Sequence, residues 1–463
     1  MAKLKKTMFR EYDIRGRVSD DELNEKSVEI IAKAHGTMLR KRGIKDTVVG
    51  YDYRPTSENF KNIALHGLTS TGINCIDLGM VLSPMMYSAQ YHFKTKGGLM
   101  ITGSHNPNDW SGFKQATDFS HTLVPEEMKE LYALTVSEDF IKGNGKIRKE
   151  DFLEVYEKDL LKRIKIAKSL KVVVNAGNGT PGAIVPQILE KAGCEVIGLF
   201  TNLDWNFPHY FPNPSLVTMM KDTGDKVKEA GADIGLALDG DGDRLGITDE
   251  KGQTIWPDRY LIILARQVLE KQPGAKIIFD VKCTQALEED IKAHGGKPIM
   301  WKTGHSHIKA KLWEENAPLA GEMSGHIFLG KPDYYGFDDG VFSALRLLEY
   351  LSQQKKTVSQ IIADTPYYES SPTIHTSCAD EVKYKVVEQL TQEFKDDGYE
   401  VIDINGARVK FKDGWGLVRA SSNLPVLVLR FEAKTKKRLE EIMNLFKKRL
   451  VKYPEISREW KSG

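Results

Sequence analysis

The 463-residue chain is 41% hydrophobic and 28% charged, a composition typical of a folded globular protein and not of a disordered one. Its 66 Lys and Arg nearly balance its 64 Asp and Glu, and the net charge of +2 argues against a general nucleic-acid binder. Apolar runs are short, and the basic start lacks the apolar stretch of a signal peptide. We therefore expect a cytoplasmic protein that binds neither nucleic acid nor membrane, with about three domains of roughly 150 residues each.

The four cysteines are dispersed singly along the chain. None has the spacing of a zinc site or of a disulfide framework. We predict that Cys75, Cys194, Cys283 and Cys378 are buried, reduced thiols.

Short β-type runs recur in three groups of three, with stretches of helical periodicity between them. In each group the first two runs begin at a similar separation, with room for one helix, which predicts three copies of one β-α-β module. The runs are Thr47–Asp52, Asn74–Gly79 and Gly97–Asn106, then Lys171–Gly179, Cys194–Phe200 and Ala232–Arg244, then Ala275–Thr284, Lys297–Ser306 and Ala317–His326.

After Tyr367 the pattern changes to that of a small antiparallel α+β domain. It has β-type runs, two helical stretches (Asp380–Phe394 and Thr435–Val451), and hairpin signals at Asn405-Gly406 and Asp413-Gly414. The predicted fold class is α/β: three related mixed α/β modules and a smaller α+β C-terminal domain around a central cleft. The predicted domains are 1–151, 152–254, 255–367 and 368–463.

The last run of every module enters a polar, glycine-rich segment: T-G-S-H-N-P, D-G-D-G-D-R and G-E-M-S-G-H. In open α/β sheets, ligands bind beyond the carboxyl ends of the strands. Three modules that each present one such loop are expected to share one cleft.

The segment from Asp239 to Arg244 carries three carboxylates at alternate positions, which can converge on a hard cation because glycines let the backbone curl. An EF-hand is the alternative, since Glu250 stands at its twelfth position. It is rejected because Arg244 occupies the sixth position, where that loop needs glycine, and because the flanks resemble strands. We predict a divalent-metal loop of Asp239, Asp241 and Asp243, with Mg²⁺ suited to phosphoryl transfer.

Ser104 and His105 lie side by side in a loop that Gly103 and Pro107 restrict, and Lys114 follows shortly. A serine so placed suits a nucleophile or a phosphorylated residue, and the lysine can neutralise phosphate charge. An ordinary turn is the alternative interpretation of this loop.

Four other segments carry polar groups, and each is also compatible with an ordinary loop or surface turn. Glu322 and Ser324 stand two apart, which in an extended segment places them on one side, where they can contact sugar hydroxyls. The loop from Arg419 to Pro425 offers an Arg, two hydroxyls and an amide as phosphate donors. Thr303-Gly-His-Ser-His lacks a third metal ligand, and Phe9–Gly16 brings a Tyr and two Arg together.

Together these segments resemble the α-D-phosphohexomutase family over nearly the whole chain. F-R-E-Y-D-I-R-G, T-G-S-H-N-P, D-G-D-G-D-R, G-E-M-S-G-H and a late R-x-S loop occur in the family's order and spacing. G-E-M-S-G-H, preceded by W-K-T-G-H-S and followed by R-A-S, resembles the bacterial phosphomannomutase/phosphoglucomutase branch. Phosphoglucosamine mutases usually have G-E-Q-S-G-H and R-P-S-G-T-E-P instead.

The resemblance implies a monomeric isomerase that interconverts hexose 1-phosphate and hexose 6-phosphate. Ser104 matches the family's phosphoserine, and a hexose 1,6-bisphosphate would be both intermediate and activator. Mg²⁺ would be held by Ser104 and the three aspartates. Lys114, Arg15 and Arg244 would stabilise the transferring group, and His105 or His326 would transfer protons. The implied substrate contacts are Tyr12, Lys282, Thr303, Gly304, His305, Glu322, Ser324, Arg419, Ser421, Ser422 and Asn423.

One departure from the branch pattern concerns the last loop, which reads R-A-S-S-N-L-P here and typically R-A-S-N-T-x-P in the branch. Ser422 and Asn423 can still donate hydrogen bonds, but Leu424 cannot. We expect phosphate binding to be retained, with an affinity that this change can alter.

Three rival functions remain open to the sequence. Met323 disfavours a phosphoglucosamine mutase, because those enzymes usually have Gln at this position. A metal-dependent sugar phosphatase would differ from a mutase by releasing inorganic phosphate. A non-catalytic sugar-phosphate sensor is disfavoured, because binding alone would need neither the serine nor the full set of aspartates.

Overall fold

The computed structural model describes residues 4–422 and 424–462. The chain divides into two compact units, one of Met1–Pro257 with Ser324–Ser359, the other of Asp258–Met323 with Gln360–Gly463. We call them the first and the second unit.

The first sheet and its helices account for the start of the chain. Their elements are β1 (Ile14–Arg17), α1 (Glu25–Lys41), β2 (Asp46–Tyr51), α2 (Ser57–Thr69), β3 (Asn74–Met80), α3 (Ser83–Phe93), β4 (Gly97–Ile101), β5 (Trp110–Asp118), β6 (His121–Thr122), α4 (Pro125–Ser137) and β7 (Ile147–Lys149).

The second and third groups of elements follow. They are α5 (Leu153–Leu161), β8 (Lys171–Asn175), α6 (Val185–Lys191), β9 (Glu195–Leu199), α7 (Val217–Ala230), β10 (Ile234–Leu238), β11 (Leu245–Thr248), β12 (Thr254–Ile255), α8 (Pro257–Lys271), β13 (Lys276–Asp280), α9 (Gln285–Ala293), β14 (Lys297–Trp301), α10 (His305–Glu315), β15 (Leu319–Gly321), β16 (Ile327–Leu329), α11 (Gly340–Ser352) and α12 (Val358–Ala363).

The C-terminal elements build a fourth sheet with two helices. They are β17 (Glu369–Ser370), β18 (Ile374–Ser377), α13 (Lys383–Asp396), β19 (Glu400–Ile402), β20 (Ala407–Phe411), β21 (Gly414–Ala420), β22 (Val426–Ala433), α14 (Lys436–Leu450) and β23 (Lys461–Ser462).

The three predicted modules share one topology. In each, the first strand of the group lies between the third and the second, all parallel: β4-β2-β3, β10-β8-β9 and β15-β13-β14. β4 and β10 are buried along their whole length, as expected for apolar strands covered on both faces. The predicted repeat of three modules is confirmed. The C-terminal residues build a fourth sheet, so the expectation of about three domains, which rested on length alone, is wrong.

An antiparallel strand that the sequence pattern did not predict extends the first sheet. β5 pairs with β4, so that Lys114 lies opposite Met100, and β1 pairs with β5, so that Arg15 lies opposite Gly112. β11 pairs with β10 in the same antiparallel way. In the first sheet, β5 and β1 thus bring Lys114 and Arg15 close to the end of β4, where the polar loop begins.

The C-terminal sheet has the order β19-β20-β21-β22-β18-β23, with its neighbours antiparallel, as predicted. α13 and α14 pack on it around a core that includes Leu390, Phe394, Leu429 and Phe446. The side chain of Thr435 caps α14 by accepting a hydrogen bond from the N–H of Arg438, which confirms the predicted helix start.

All four cysteines are buried and free, as predicted. Within the described part of the chain, no helix combines the length and the apolar character that crossing a bilayer requires.

His35 on α1 is fully buried, and burial lowers its pKa from 6.5 to about 3. Its folded-state pKa lies below the unfolded value, so its contribution to stability is complete above pH 6.5 and is lost as the pH falls towards 3. We predict that wild type loses about 2 kcal/mol relative to His35→Leu between about pH 7.5 and pH 5, measured by urea unfolding. The exposed His66→Leu is the control, and parallel pH curves for wild type and His35→Leu would contradict the prediction.

Candidate active site

The loop after β4 holds Ser104 in a restricted conformation. Ser104 has φ +47°, in the left-handed region that few side chains adopt, and it is 2% exposed. Its N–H donates to Thr102 Oγ1 at 2.7 Å, and the N–H of Gly103 donates to Asp52 Oδ2 at 3.0 Å. The end of β2 therefore fixes the loop that carries the predicted nucleophile.

The Ser104 hydroxyl joins two of the predicted motifs. Its Oγ donates to Asp239 Oδ2 at 2.8 Å and lies 3.1 Å from Nδ1 of His105. The predicted nucleophile and the predicted metal loop are thus in direct contact.

The acidic loop between β10 and β11 brings its three carboxylates together. Asp239, Asp241 and Asp243 are fully buried, and one oxygen of each lies within 4.8 Å of the others. Gly242 has φ +74°, and a Cβ on Gly240 would lie 2.4 Å from the carbonyl oxygen of Ser104. The loop flanks are strands, which confirms the rejection of an EF-hand.

The chemistry of this cluster fits a hard divalent cation. Among the described residues, Oδ1 of Asp241 and Oδ1 of Asp243 are buried without a hydrogen-bond partner. Burial together with the Asp243 and Asp241 carboxylates raises the pKa of Asp239 well above its ordinary value. Buried carboxylate oxygens that repel one another are stabilised by a cation, and Mg²⁺ prefers such ligands.

Lys114 supplies positive charge to the same cluster. Its Nζ donates to Asp241 Oδ2 at 2.7 Å, to Ser83 Oγ at 3.2 Å and to Asp243. Burial lowers the pKa of Lys114, but the two carboxylates outweigh burial and leave it raised. The ammonium therefore stays charged beside the predicted metal ligands.

Arg15 lies on β1 near the same loop. Its Nη1 donates to the carbonyl of Thr102 at 2.7 Å, and its Nε donates to Asp13 at 2.8 Å. Tyr12, two residues before β1, is buried.

Arg244 and His326 form a second polar cluster with a residue that the motif analysis did not single out. Arg244 Nε donates to His326 Nε2 at 3.0 Å and lies 3.6 Å from Asp239 Oδ2. His326 Nδ1 lies 3.0 Å from Asp338 Oδ2.

The two candidate histidines have different surroundings. Burial and the charges of Arg244 and Arg15 lower the pKa of His105 well below its ordinary value, so this ring is neutral. His326 instead contacts a buried carboxylate on one side and a guanidinium on the other.

In the second unit, Asp280 at the end of β13 organises several predicted substrate contacts. It accepts from Thr303 Oγ1 at 2.7 Å and from the N–H of Met323 at 3.3 Å, and it lies 3.4 Å from Lys282 Nζ. Burial raises the pKa of Asp280, but the Lys282 ammonium and the Thr303 hydroxyl outweigh burial and leave it lowered. This carboxylate therefore stays ionised and fixes three segments.

Glu322 and Ser324 do not lie on an extended segment, so that expectation is wrong. β15 ends at Gly321, and the chain then turns through Gly325, whose φ is +97°. The Glu322 carboxylate accepts a hydrogen bond from the N–H of Gly304, the residue before α10. Ser324 is half-buried, and His305 is the buried first residue of α10.

The predicted phosphate loop of the C-terminal domain is anchored by an asparagine. Asn405 Oδ1 accepts from Arg419 Nε at 2.9 Å and from the N–H of Thr303 at 3.3 Å. Arg419 Nη2 donates to Ser422 Oγ at 3.3 Å, and the Ser421 hydroxyl accepts from the N–H of Leu424 at 3.2 Å. Asn423, predicted to bind phosphate, lies outside the described residues.

Sequence reasoning missed residues that hold these loops without belonging to a recognised motif. Asp52 and Asp280 stand at the carboxyl end of the first strand of their modules, the place where open α/β sheets gather polar groups. An aspartate at the end of the first strand is therefore a signal that the sequence does carry. Asp338 and Asn405 carried no local signal, since their partners are distant in sequence.

Four family models cover most of the chain. They are the phosphoglucomutase/phosphomannomutase α/β/α domain I over residues 6–142, domain II over 151–252, domain III over 256–368 and the C-terminal domain over 377–448.

Full-length relatives agree with these matches. A phosphomannomutase/phosphoglucomutase of Pseudomonas putida is 42% identical, covering 98% of each chain, and a phosphoglucomutase of Neisseria gonorrhoeae is 39% identical, covering 98% of this chain and 99% of that one. The crystal structure of a phosphoglucomutase/phosphomannomutase family protein of Burkholderia thailandensis is 38% identical, with a TM-score of 0.90 over 96% of this chain and 97% of that one.

The chain therefore belongs to the phosphoglucomutase/phosphomannomutase family, the α-D-phosphohexomutases. Within that class of isomerases, the full-length relatives place it in the bacterial phosphomannomutase/phosphoglucomutase branch.

Proposed function

We propose that this chain interconverts hexose 1-phosphate and hexose 6-phosphate through a phosphoserine and a hexose 1,6-bisphosphate, with mannose and glucose phosphates as substrates. The observation that carries the proposal is the contact of Ser104 Oγ with Asp239 at 2.8 Å, in a cluster where Lys114 contacts the other two aspartates. A candidate nucleophile, candidate cation ligands and a fixed positive charge lie together there, which is the combination that phosphoryl transfer requires.

Ser104 would carry the phosphoryl group between half-reactions. A free hydroxyl of the sugar attacks the phosphorus, the bond from phosphorus to Ser104 Oγ breaks, and the hydroxyl proton passes to His105 or His326. The 1,6-bisphosphate then turns around, and Ser104 Oγ attacks the other phosphorus. The bond from that phosphorus to the sugar oxygen breaks, and the histidine returns the proton to this oxygen. Lys114, Arg15 and Arg244 would stabilise the charge on the group in transit.

Asp239, Asp241, Asp243 and a phosphoserine oxygen would hold Mg²⁺. When bound, this ion would neutralise negative charge on the transferring phosphoryl group.

The remaining predicted residues would bind the part of the substrate that does not react. Glu322 and Ser324 would contact the sugar ring, with Tyr12, Lys282, Thr303, Gly304 and His305 as further contacts. Arg419, Ser421, Ser422 and Asn423 would bind the phosphate that is not transferred, and Arg419 can do so with two donors.

Each of four domains, 1–151, 152–254, 255–367 and 368–463, would contribute one loop to this chemistry. We further infer a cytoplasmic monomer that needs no nucleic acid or membrane partner, with hexose 1,6-bisphosphate as the activator that loads Ser104.

The proposed reaction is tested by phosphorus NMR with mannose 1-phosphate, glucose 1-phosphate and glucosamine 1-phosphate, each with Mg²⁺ and a trace of bisphosphate. We expect the first two to convert to their 6-phosphates with almost no inorganic phosphate, and Ser104→Ala to abolish turnover because no acceptor for the phosphoryl group remains. Ser137→Ala, at the end of α4, is the control.

Other outcomes of the same experiment separate the rival functions. Stoichiometric release of inorganic phosphate would show a phosphatase, and preference for the glucosamine compound would show a phosphoglucosamine mutase. No conversion of any sugar would contradict the proposal.

The phosphate loop makes a separate prediction. We expect Arg419→Ala to raise the KM for mannose 1-phosphate about 10- to 100-fold, since the charge-assisted bonds of one guanidinium are lost. Arg438→Ala is the matched control, because Arg438 pairs with Asp413 on a different part of the C-terminal domain. An unchanged KM in steady-state kinetics of Arg419→Ala would show that Arg419 does not bind substrate phosphate.

A further inference from the structure

Arg54 is a buried arginine that contacts the Ser104 loop and has no role in the proposed mechanism. It follows β2 by three residues, is 5% exposed, and lies with Nε 3.3 Å from Asp52 Oδ2. The same carboxylate oxygen accepts the N–H of Gly103 and the hydroxyl of Thr102. A fixed anion therefore orients the guanidinium towards the loop.

The guanidinium donates to four backbone carbonyls, three in that loop and one at the start of β5. Nη2 donates to Ser104 at 2.7 Å and to Asn106 at 2.6 Å, while Nη1 donates to Pro107 at 2.8 Å and to Trp110 at 3.3 Å. Four carbonyl dipoles that converge on one buried guanidinium would repel one another without the donors that it supplies. The planar fork of an arginine meets that geometry, whereas the three donors of a lysine ammonium cannot reach all four.

The surroundings leave Arg54 little freedom. A Cβ on Gly103 would lie 2.4 Å from Arg54 Cζ, so the loop backbone rests directly on the guanidinium. The ring of Phe207 covers it, with its centroid 5.4 Å from Cζ, which is within the range of a cation–π contact.

We propose that Arg54 is a positioning residue for phosphoryl transfer, which holds the Ser104 backbone in its left-handed conformation so that Oγ faces Asp239. The inference rests on the proposed function, since it assigns Ser104 as the nucleophile. Without the four bonds the loop can relax to a more common backbone conformation, which moves Oγ away from the acidic cluster.

The first test compares Arg54→Lys and Arg54→Ala with wild type in steady-state mutase kinetics. We expect kcat to fall about 100-fold, the effect of misplacing a reacting group by about 1 Å, while KM for mannose 1-phosphate stays unchanged. Arg259 supplies the matched control, because its guanidinium also donates to a backbone carbonyl, that of Pro366 at 2.7 Å. Its other hydrogen-bond partners are Ile362 and Thr365, and none of the three is a proposed site residue. We expect Arg259→Lys and Arg259→Ala to keep the wild-type kcat.

The second test is chemical rescue, which a general loss of stability would not show. Arg54→Ala removes the side chain under the Phe207 ring, and added guanidinium ion, well below denaturing concentration, can refill that space. We expect guanidinium to raise the kcat of Arg54→Ala about tenfold and to leave wild type and Arg259→Ala unchanged. If Arg54→Ala does not fold, Arg54→Lys carries the test through its kcat and KM.

The outcomes separate this inference from the proposed function. If wild type is active and the kcat of Arg54→Lys lies within about twofold of the wild-type kcat, the proposed role of Arg54 is wrong. A rise in KM without a fall in kcat would also overturn it. Equal losses of kcat in the Arg54 and Arg259 variants would also overturn it. Inactive wild type would instead contradict the proposed function.

Discussion

Three carboxylates buried within a few ångströms of one another are the constraint on which the rest of this site depends. Asp239, Asp241 and Asp243 repel one another in a place that water does not reach, so opposite charge must be supplied from nearby. Lys114 supplies it from β5, which runs antiparallel to the strand that leads into the Ser104 loop. The same requirement makes the cluster a candidate cation site, because Lys114 leaves one oxygen each of Asp241 and Asp243 without a hydrogen bond from the described residues.

The repeated topology places candidate functional groups at two neighbouring strand ends. The loop after the third strand carries candidate reactive groups, such as Ser104 after β4 and the acidic loop after β10. In the first and third modules, an aspartate at the end of the first strand holds such a loop in place: Asp52, directly after β2, binds the Ser104 loop, and Asp280, the last residue of β13, binds the segment after β15. In these two modules the same backbone topology thus supplies the loop and its support.

Much of the fold and of the site could be predicted from local sequence. Apolar runs separated by helical periodicity predicted three parallel strands in each module, and the fully buried ones, such as β4 and β10, are continuous apolar segments. β5 was missed because polar residues such as Lys114 and Gln115 lie within it and interrupt that pattern, although both are buried. The extended geometry assumed for Glu322 and Ser324 was wrong, since a left-handed glycine turns the chain after β15.

Residues that act through distant partners could not be found in this way. Asp338 meets His326, and Asn405 meets both Arg419 and Thr303, through packing that brings separate elements together. The role proposed for Arg54 could not be predicted for a related reason. Its guanidinium donates to backbone carbonyls, and these have no signature in the sequence. Such support is visible only once the loop conformation is known.

The most direct test of the central claim is the mass of the intact protein, with peptide mapping, after incubation with hexose 1,6-bisphosphate and Mg²⁺. The account predicts the gain of one phosphoryl group, located on Ser104 and removed again when hexose 1-phosphate is added. Turnover of the sugar phosphates without any phosphorylated protein, or with the phosphoryl group on another residue, would contradict it.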